Sequence, residues 1–182
     1  MDRTADISVM RIIIPVVAVA VCMSSSALAQ VVQPPTGYRL PTESDFTGDW
    51  KDNRATNPMP FHAIGDYNGD GVQDQAWLLL ATSGKGFAVF AFIGSRTGSS
   101  KVVQLTSSAD KAWDSYYIET VKPGRFETAC GKEYGDFACE HGEPHELNLT
   151  RPSILFCRFE SACSIFWWDT RTNTFQRTLI SD

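Results

Sequence analysis

The chain has 182 residues and a net charge of −5, with 43% hydrophobic and 20% charged residues. This balance suits one domain with an ordinary hydrophobic core. A mildly acidic chain is a poor candidate for binding nucleic acid or an anionic membrane surface, because both attract basic patches. We therefore expect no nucleic acid among its partners.

The N-terminus has the pattern of an export signal. Arg11 precedes an apolar stretch at residues 12–21, and small residues then lead to Ala-Leu-Ala at 27–29, an A-x-A cleavage pattern. An apolar stretch this short is typical of a signal core and not of a membrane span. We predict a signal peptide over residues 1–29 and hence a periplasmic or secreted protein without a membrane span.

Two details of this signal stay open. Translation from Met10 instead of Met1 would remove Asp2 and Asp6, which are unusual ahead of a signal core. Residues 19–22 resemble a lipoprotein signal, so a lipid anchor at Cys22 is the alternative to cleavage after residue 29.

Residues 30–60 are rich in Pro, Thr, Asp and Asn, which predicts an extended or irregular N-terminal segment that wraps the domain edge. A single β domain is expected over residues 61–182. Its strand signals lie at residues 61–64, 75–81, 86–93, 102–106, 116–121, 146–149, 154–159, 163–168 and 174–180.

The spacing of these signals predicts the fold class. Short apolar runs recur every eight to twelve residues or so, and no window of helical length shows a convincing helical period. We predict an all-β fold, an antiparallel sandwich or a small barrel. The last three runs are joined by short polar turns and predict a C-terminal three-strand meander.

Residues 66–74, between the first two strand signals, read Asp-Tyr-Asn-Gly-Asp-Gly-Val-Gln-Asp. Side-chain oxygens at positions 1, 3, 5 and 9, a glycine at 6 and a carbonyl at 7 are the spacing that calcium needs. The alternative is a solvated acidic turn in which Asn-Gly and Asp-Gly only reverse the chain. The predicted ligands are the side chains of Asp66, Asn68, Asp70 and Asp74 and the carbonyl of Val72.

The loop is not a complete EF-hand, because Trp77 stands where that motif has its bidentate Glu. Residues 64–76 resemble the calcium loops of FG-GAP and VCBS-type β-repeats, which lead directly into a strand. The resemblance occurs once, so it implies a local structure and not a propeller. It also implies a structural role, in which the ion ties two strand ends together and couples stability to calcium.

Four cysteines remain after the predicted cleavage, and an even number in an exported chain indicates two disulfides. Sequence neighbours favour the pairs Cys130–Cys139 and Cys157–Cys163, although three connectivities are possible. A hairpin centred on Glu160 would place Cys157 opposite Cys163, within disulfide reach.

The densest polar segment follows Cys130. The sequence Cys130-Gly131-Lys132-Glu133-Tyr134 resembles the Ser-Gly-x-x-Tyr loop that periplasmic lysozyme inhibitors insert into the enzyme's cleft, with Cys130 in place of Ser. Residue by residue, only Gly131 and Tyr134 match. The resemblance implies that residues 131–134 bind a peptidoglycan hydrolase or lysozyme-like toxin, as inhibitors and immunity proteins do. Glu133 would pair with a basic group there or imitate a carboxylate ligand, and Lys132 would meet the catalytic acid.

No catalytic residues are predicted. The chain has three histidines and no G-x-S-x-G elbow, and acidic pairs such as Asp110 and Asp114 are typical of solvated loops. The sequence therefore predicts an exported, calcium-binding, non-enzymatic inhibitor or immunity protein. Three alternatives stay open: an exported hydrolase, a carbohydrate-binding domain, or a calcium-stabilised structural domain whose disulfide-closed loop has no partner.

Overall fold

The fold is an antiparallel β-sandwich, seen in a computed structural model that describes residues 32–98, 100–132, 139 and 143–181. The predicted all-β class is confirmed, and of the two expected architectures the sandwich is the one present, because the sheets do not close into a barrel. The signal peptide, Cys22, Glu133 and Tyr134 lie outside the described residues.

The first sheet has five strands arranged around β3 (Asp74–Ala81). One edge of β3 pairs with β4 (Phe87–Ile93), and β5 (Lys101–Ser108) lies beyond β4. The other edge pairs with β1 (Tyr38–Arg39) near the end of β3 and with β2 (His62–Gly65) near its start.

The second sheet has four strands in the order β11, β10, β9, β6. The last three strands of the chain are spatial neighbours joined by short turns, which confirms the predicted C-terminal meander. The bounds of the four strands are β6 (Tyr116–Val121), β9 (Ser153–Arg158), β10 (Cys163–Asp169) and β11 (Thr174–Ser181).

The main core lies between the two sheets. It joins the inward side chains of β3 and β4 to Ile118, Ile154 and Phe156 of the second sheet. Each sheet is also covered on its outer face. Residues near the N-terminus, including Tyr38 and Leu40, pack on the outer side of β4, so that all seven β4 residues are buried.

A separate hairpin covers the outer face of the second sheet. It consists of β7 (Gly124–Glu127) and β8 (Glu146–Leu149), paired antiparallel. Leu147 and Leu149 of β8 pack against Ile165 of β10 and form a small apolar cluster there. This hairpin carries the cysteine loop between its two strands.

The helical elements are short, and no helix among the described residues is long and apolar enough to cross a membrane. Two of them lie in the predicted irregular segment: a 3-10 turn at Glu43–Asp45 and α1 at Gly48–Asp52. A second 3-10 turn, Trp113–Ser115, precedes β6. Trp50 of α1 is fully buried in the main core, and its indole N–H donates to the carbonyl of Tyr116 at 2.6 Å. The segment therefore supplies core as well as cover.

An ion pair fixes the N-terminal cover to the 3-10 turn. Both terminal nitrogens of Arg39 donate to the Asp45 carboxylate at 2.7 Å, and the backbone N–H and hydroxyl of Thr42 donate to it as well. The Asp45 side chain is only 8% exposed. Its hydrogen bonds to Arg39, ahead of those to Thr42, lower the pKa of Asp45 to about 2.

This lowered pKa predicts an acid-sensitive contribution to stability. A carboxyl with a lowered folded-state pKa stabilises the fold above its unfolded-state pKa, and we expect this contribution to disappear as the pH falls from about 4 to about 2. Asp45→Asn should lower the free energy of unfolding at pH 6 by about 1–2 kcal/mol, allowing for screening of the partly exposed Arg39.

Urea unfolding at pH 6, 4 and 2 measures this effect. The Asp45→Asn variant should lose less stability than the wild type over this range, whereas Asp52→Asn, at an exposed acid of α1, should keep the wild-type dependence. Equal pH dependence in wild type and Asp45→Asn would contradict the assignment.

Candidate functional site

Both predicted disulfides are present in the structure, Cys130–Cys139 and Cys157–Cys163. Cys157 is directly opposite Cys163 in the register of β9 and β10, as a hairpin centred on Glu160 requires. The turn contains no glycine, and Glu160 itself takes the left-handed conformation with a φ of +55°.

The base of the loop between Cys130 and Cys139 is held by Thr128, a buried residue just after β7. Its backbone N–H donates to the carbonyl of His145 at 3.1 Å. Its hydroxyl donates to the carbonyl of Pro144 at 2.9 Å and accepts the N–H of Gly131 at 3.0 Å. One side chain thus joins the two ends of the loop.

Gly131 is required by a close approach of two backbone segments. A Cβ atom at this position would lie 2.0 Å from the carbonyl oxygen of His145, a distance that no side chain can occupy. The motif resemblance predicts that Gly131 belongs to a partner-binding loop, and in the structure the backbone of His145 of the same chain lies against it.

Lys132 is also engaged within the chain. Its ammonium donates to the carbonyl of Ile180 on β11 at 2.9 Å, and the nearby N–H of Ala129 donates to the carbonyl of Leu179 at 2.9 Å. The loop base is therefore attached to the edge strand of the second sheet. The remaining two predicted partner-binding residues, Glu133 and Tyr134, lie outside the described residues.

The predicted calcium loop connects β2 to β3. The Asp66 carboxylate accepts three backbone N–H groups, from Gly69 at 2.7 Å, Asp70 at 3.1 Å and Gly71 at 2.9 Å. Gly69 and Gly71 have φ values of +79° and +81°, in the left-handed region that favours glycine. The local conformation follows from the placement of aspartate and glycine that the sequence shows.

The other predicted ligands divide between the exposed and the buried side of the loop. Asp70 is exposed and Asn68 is half-buried. The Asn68 amide donates to the Asp70 carboxylate at 3.1 Å, and this carboxylate accepts the N–H of Val72 at 2.7 Å. Asp74 is fully buried and accepts the N–H groups of Gly94 at 2.8 Å and Tyr67 at 2.9 Å. Burial raises the pKa of Asp74, and these hydrogen bonds oppose the shift.

Two arginines that sequence reasoning missed also contact this loop. Arg96 donates to the carbonyl of Asp70 at 2.9 Å, and Arg151 donates to the carbonyl of Asn68. Both come from distant parts of the chain, so local spacing contains no signal for them. They bring positive charge to a loop that carries three carboxylates.

The donor set of the loop fits a hard cation in its chemistry, since carboxylate, amide and carbonyl oxygens are the ligands that calcium takes. The backbone N–H groups of the loop occupy some of the lone pairs of each carboxylate, and the remaining lone pairs are available to a cation. In the described part of the chain, no three Asp, Glu, His or Cys side chains converge at metal-binding geometry. The loop conformation is held by hydrogen bonds to its own backbone.

The acidic pair Asp110 and Asp114, considered for a hydrolase, has separate local partners. Asp114 accepts the hydroxyl of Thr47 at 2.7 Å, and Asp110 accepts the N–H of Ala112 at 2.9 Å. The Asp114 bond holds the connection between β5 and β6 against the start of α1, whereas the Asp110 bond stays within that connection.

Comparison with protein-family models, with curated proteins and with solved structures found no match for this chain. The function of the chain is therefore inferred from its own residues and from the two short motif resemblances.

The contact of Gly131 predicts a position-specific cost of substitution. Gly131→Ala should lower the free energy of unfolding by about 2 kcal/mol or more, because the new methyl group must displace the His145 backbone. Gly124→Ala on β7 is the matched control, since its Cβ would meet its nearest atom at an ordinary 3.6 Å. Urea unfolding of both variants measures the difference. Equal stability of the two variants would contradict the close approach.

Proposed function

We propose that this chain is an exported, non-enzymatic binding protein that inhibits a peptidoglycan-degrading enzyme, as an inhibitor or an immunity protein. The observation that supports it is the rigid base of the Cys130–Cys139 loop. Thr128, Gly131 and Lys132 attach this base to the hairpin and to β11, and a disulfide closes it.

A loop fixed in this way is suited to binding. Association costs free energy for ordering flexible segments, and a loop that is already cross-linked and anchored has less conformational freedom to lose. Loops that carry binding residues on a rigid scaffold are a common arrangement in proteins. The attachment to the hairpin and to β11 thus favours presentation of the loop to a partner.

Within this proposal, the residues of the motif have different roles. Tyr134 is the anchor that enters the cleft of the enzyme, because a tyrosine ring offers a large apolar area and a polar tip. Glu133 pairs with a basic group of the enzyme. Lys132 supports the base of the loop through its bond to the Ile180 carbonyl, instead of meeting the catalytic acid.

Substitution of the anchor tests the proposal. Tyr134→Ala should weaken inhibition by about thirtyfold, equivalent to about 2 kcal/mol of binding free energy. The measurement is peptidoglycan lysis by a panel of muramidases, titrated with the full chain or the variant. Glu119→Gln, at an exposed acid on β6, is the control and should inhibit as the wild type does.

Three results would contradict the proposal. Lysis of peptidoglycan by the protein alone would make it a hydrolase. Inhibition that Tyr134→Ala retains in full would remove the loop from the interface, and absence of inhibition across the panel would favour the structural alternative.

We also propose that calcium binds the loop at residues 66–74 and stabilises the junction of β2 and β3. The ligands are the oxygens of Asp66, Asn68, Asp70 and Asp74 and the carbonyl of Val72, whose chemistry suits this ion. The ion would offset the repulsion among three carboxylates that lie within nine residues. Its role is stability and not contact with the partner.

Removal of calcium tests this second proposal. Free calcium at about a hundred times its Kd should raise the melting temperature by about 5–10 °C over the value in chelator, because the ion binds only the folded state. Asp70→Ala should abolish this shift. Asp52→Ala, at an exposed acid of α1, should preserve it. A melting temperature that calcium does not move in the wild type would overturn the site.

A further inference from the structure

A cleft of about 310 Å³ opens between the two sheets. It lies where β4 and β6 begin and where β5 and β9 end, so its walls come from strand ends of both sheets. No described residue of the loop at 130–139 or of the loop at 66–74 lines it. The described parts of both sites therefore lie outside the cleft.

One wall of the cleft is aromatic. The rings of Tyr116 and Phe156 are stacked, with centroids 5.5 Å apart and an interplanar angle of 5°. Phe87 lies 4.8 Å from Tyr116, between centroids. Phe87 and Phe156 are buried members of the main core and Tyr116 is half-buried, so this wall is the edge of a fixed apolar cluster. A flat apolar group can pack against it.

Two arginines line the same cleft, Arg158 and Arg177. The Nε–H of Arg177 donates to the hydroxyl of Ser164 at 3.1 Å, and its guanidinium carbon is 5.7 Å from the centre of the Phe166 ring. Ser164 is 2% exposed, so the position of this guanidinium is fixed by a buried group. Among the described residues, its two terminal nitrogens have no hydrogen-bond acceptor, so their donors are available to a ligand.

Arg158 is held in a similar way. It is directly opposite Tyr116 in the register of β6 and β9, and its guanidinium carbon is 5.8 Å from the centre of the Tyr116 ring. A cation over an aromatic face is attracted to the ring but keeps its full charge. Neither ring contact neutralises the arginine.

The charge of the two arginines is not balanced by acidic side chains. Among the described residues, the four ion pairs join other arginines to carboxylates, and neither Arg158 nor Arg177 has a carboxylate oxygen within 4.0 Å. One acid lies beside the aromatic wall, Asp110, which accepts the Tyr116 hydroxyl at 3.4 Å. Hydroxyl groups complete the lining, from Thr106, Ser108 and Ser161.

From this arrangement we infer that the cleft binds a small organic anion with a flat apolar body, such as an aromatic carboxylate. The guanidinium groups would hold the carboxylate, for which their planar forks are suited. The apolar body would lie on the wall formed by Phe87, Tyr116 and Phe156. The volume admits one or two fused rings, at the lower end of small-molecule clefts.

The test uses 2-naphthoate as the probe and 2-naphthamide as its uncharged match, each titrated into the full chain and followed by NMR amide shifts. We expect saturable shifts at Ser161, Ala162 and Ser164 with 2-naphthoate, and binding at least about tenfold weaker with 2-naphthamide. Arg158→Gln and Arg177→Gln should each weaken naphthoate binding by about tenfold or more. Arg125→Gln is the control, since Arg125 pairs with Glu146 on the outer hairpin.

Inorganic phosphate is titrated separately to distinguish a bare anion from an organic one. Equal binding of naphthoate and naphthamide, or shifts that Arg158→Gln and Arg177→Gln leave unchanged, would overturn the inference. Phosphate binding as tight as naphthoate, or no saturable shift with naphthoate, would overturn it as well. If Arg177→Gln does not fold, Arg177→Lys takes its place. This variant keeps the charge but lacks the planar guanidinium fork, so it should bind naphthoate more weakly than the wild type.

Discussion

The burial of β4 on both faces is the constraint on which the rest of the structure depends. Every side chain of Phe87–Ile93 is apolar, so neither face of this strand can be left to water. The inner face is covered by the second sheet, and the outer face requires a further layer from the N-terminal residues. Tyr38 supplies part of that layer. Its ring meets the Phe90 ring edge-on, with 5.0 Å between the two ring centroids. The Arg39–Asp45 pair then fixes the layer in position.

The sequence predicts those parts of the fold whose signals are local and periodic. Most strands, the C-terminal meander and the Cys157–Cys163 register follow from apolar runs and from the symmetry of a hairpin about Glu160. The sequence does not predict the elements that cover the outer faces of the sheets or close the core, namely β1, α1 and β7. β1 has two residues, α1 has five, and β7 carries a single large apolar residue, so none of them is long enough to show a period. Their positions are set by the surfaces that they cover.

The candidate sites divide in the same way. The loop at residues 66–74 could be recognised because aspartates and glycines at fixed spacings determine its turns, whereas Arg96 and Arg151 reach it through the folded structure. The role of Gly131 could not be read from the motif alone. A glycine that permits close approach gives no indication of which backbone approaches, and here it is that of His145.

The alternation of side chains along a strand explains how β9 carries a disulfide on one face and lines the cleft with the other. On β9, Cys157 points to the outer face and forms the disulfide to Cys163, while its neighbours Phe156 and Arg158 point to the cleft. The disulfide therefore cross-links β9 and β10 on the face that points away from the cleft. Arg158 and Ser164, the next residues along the two strands, line the cleft on the other face. Cross-linking reduces the freedom of both strands to separate, so the cysteine pair that suits export also maintains the spacing of the groups that would hold an anion.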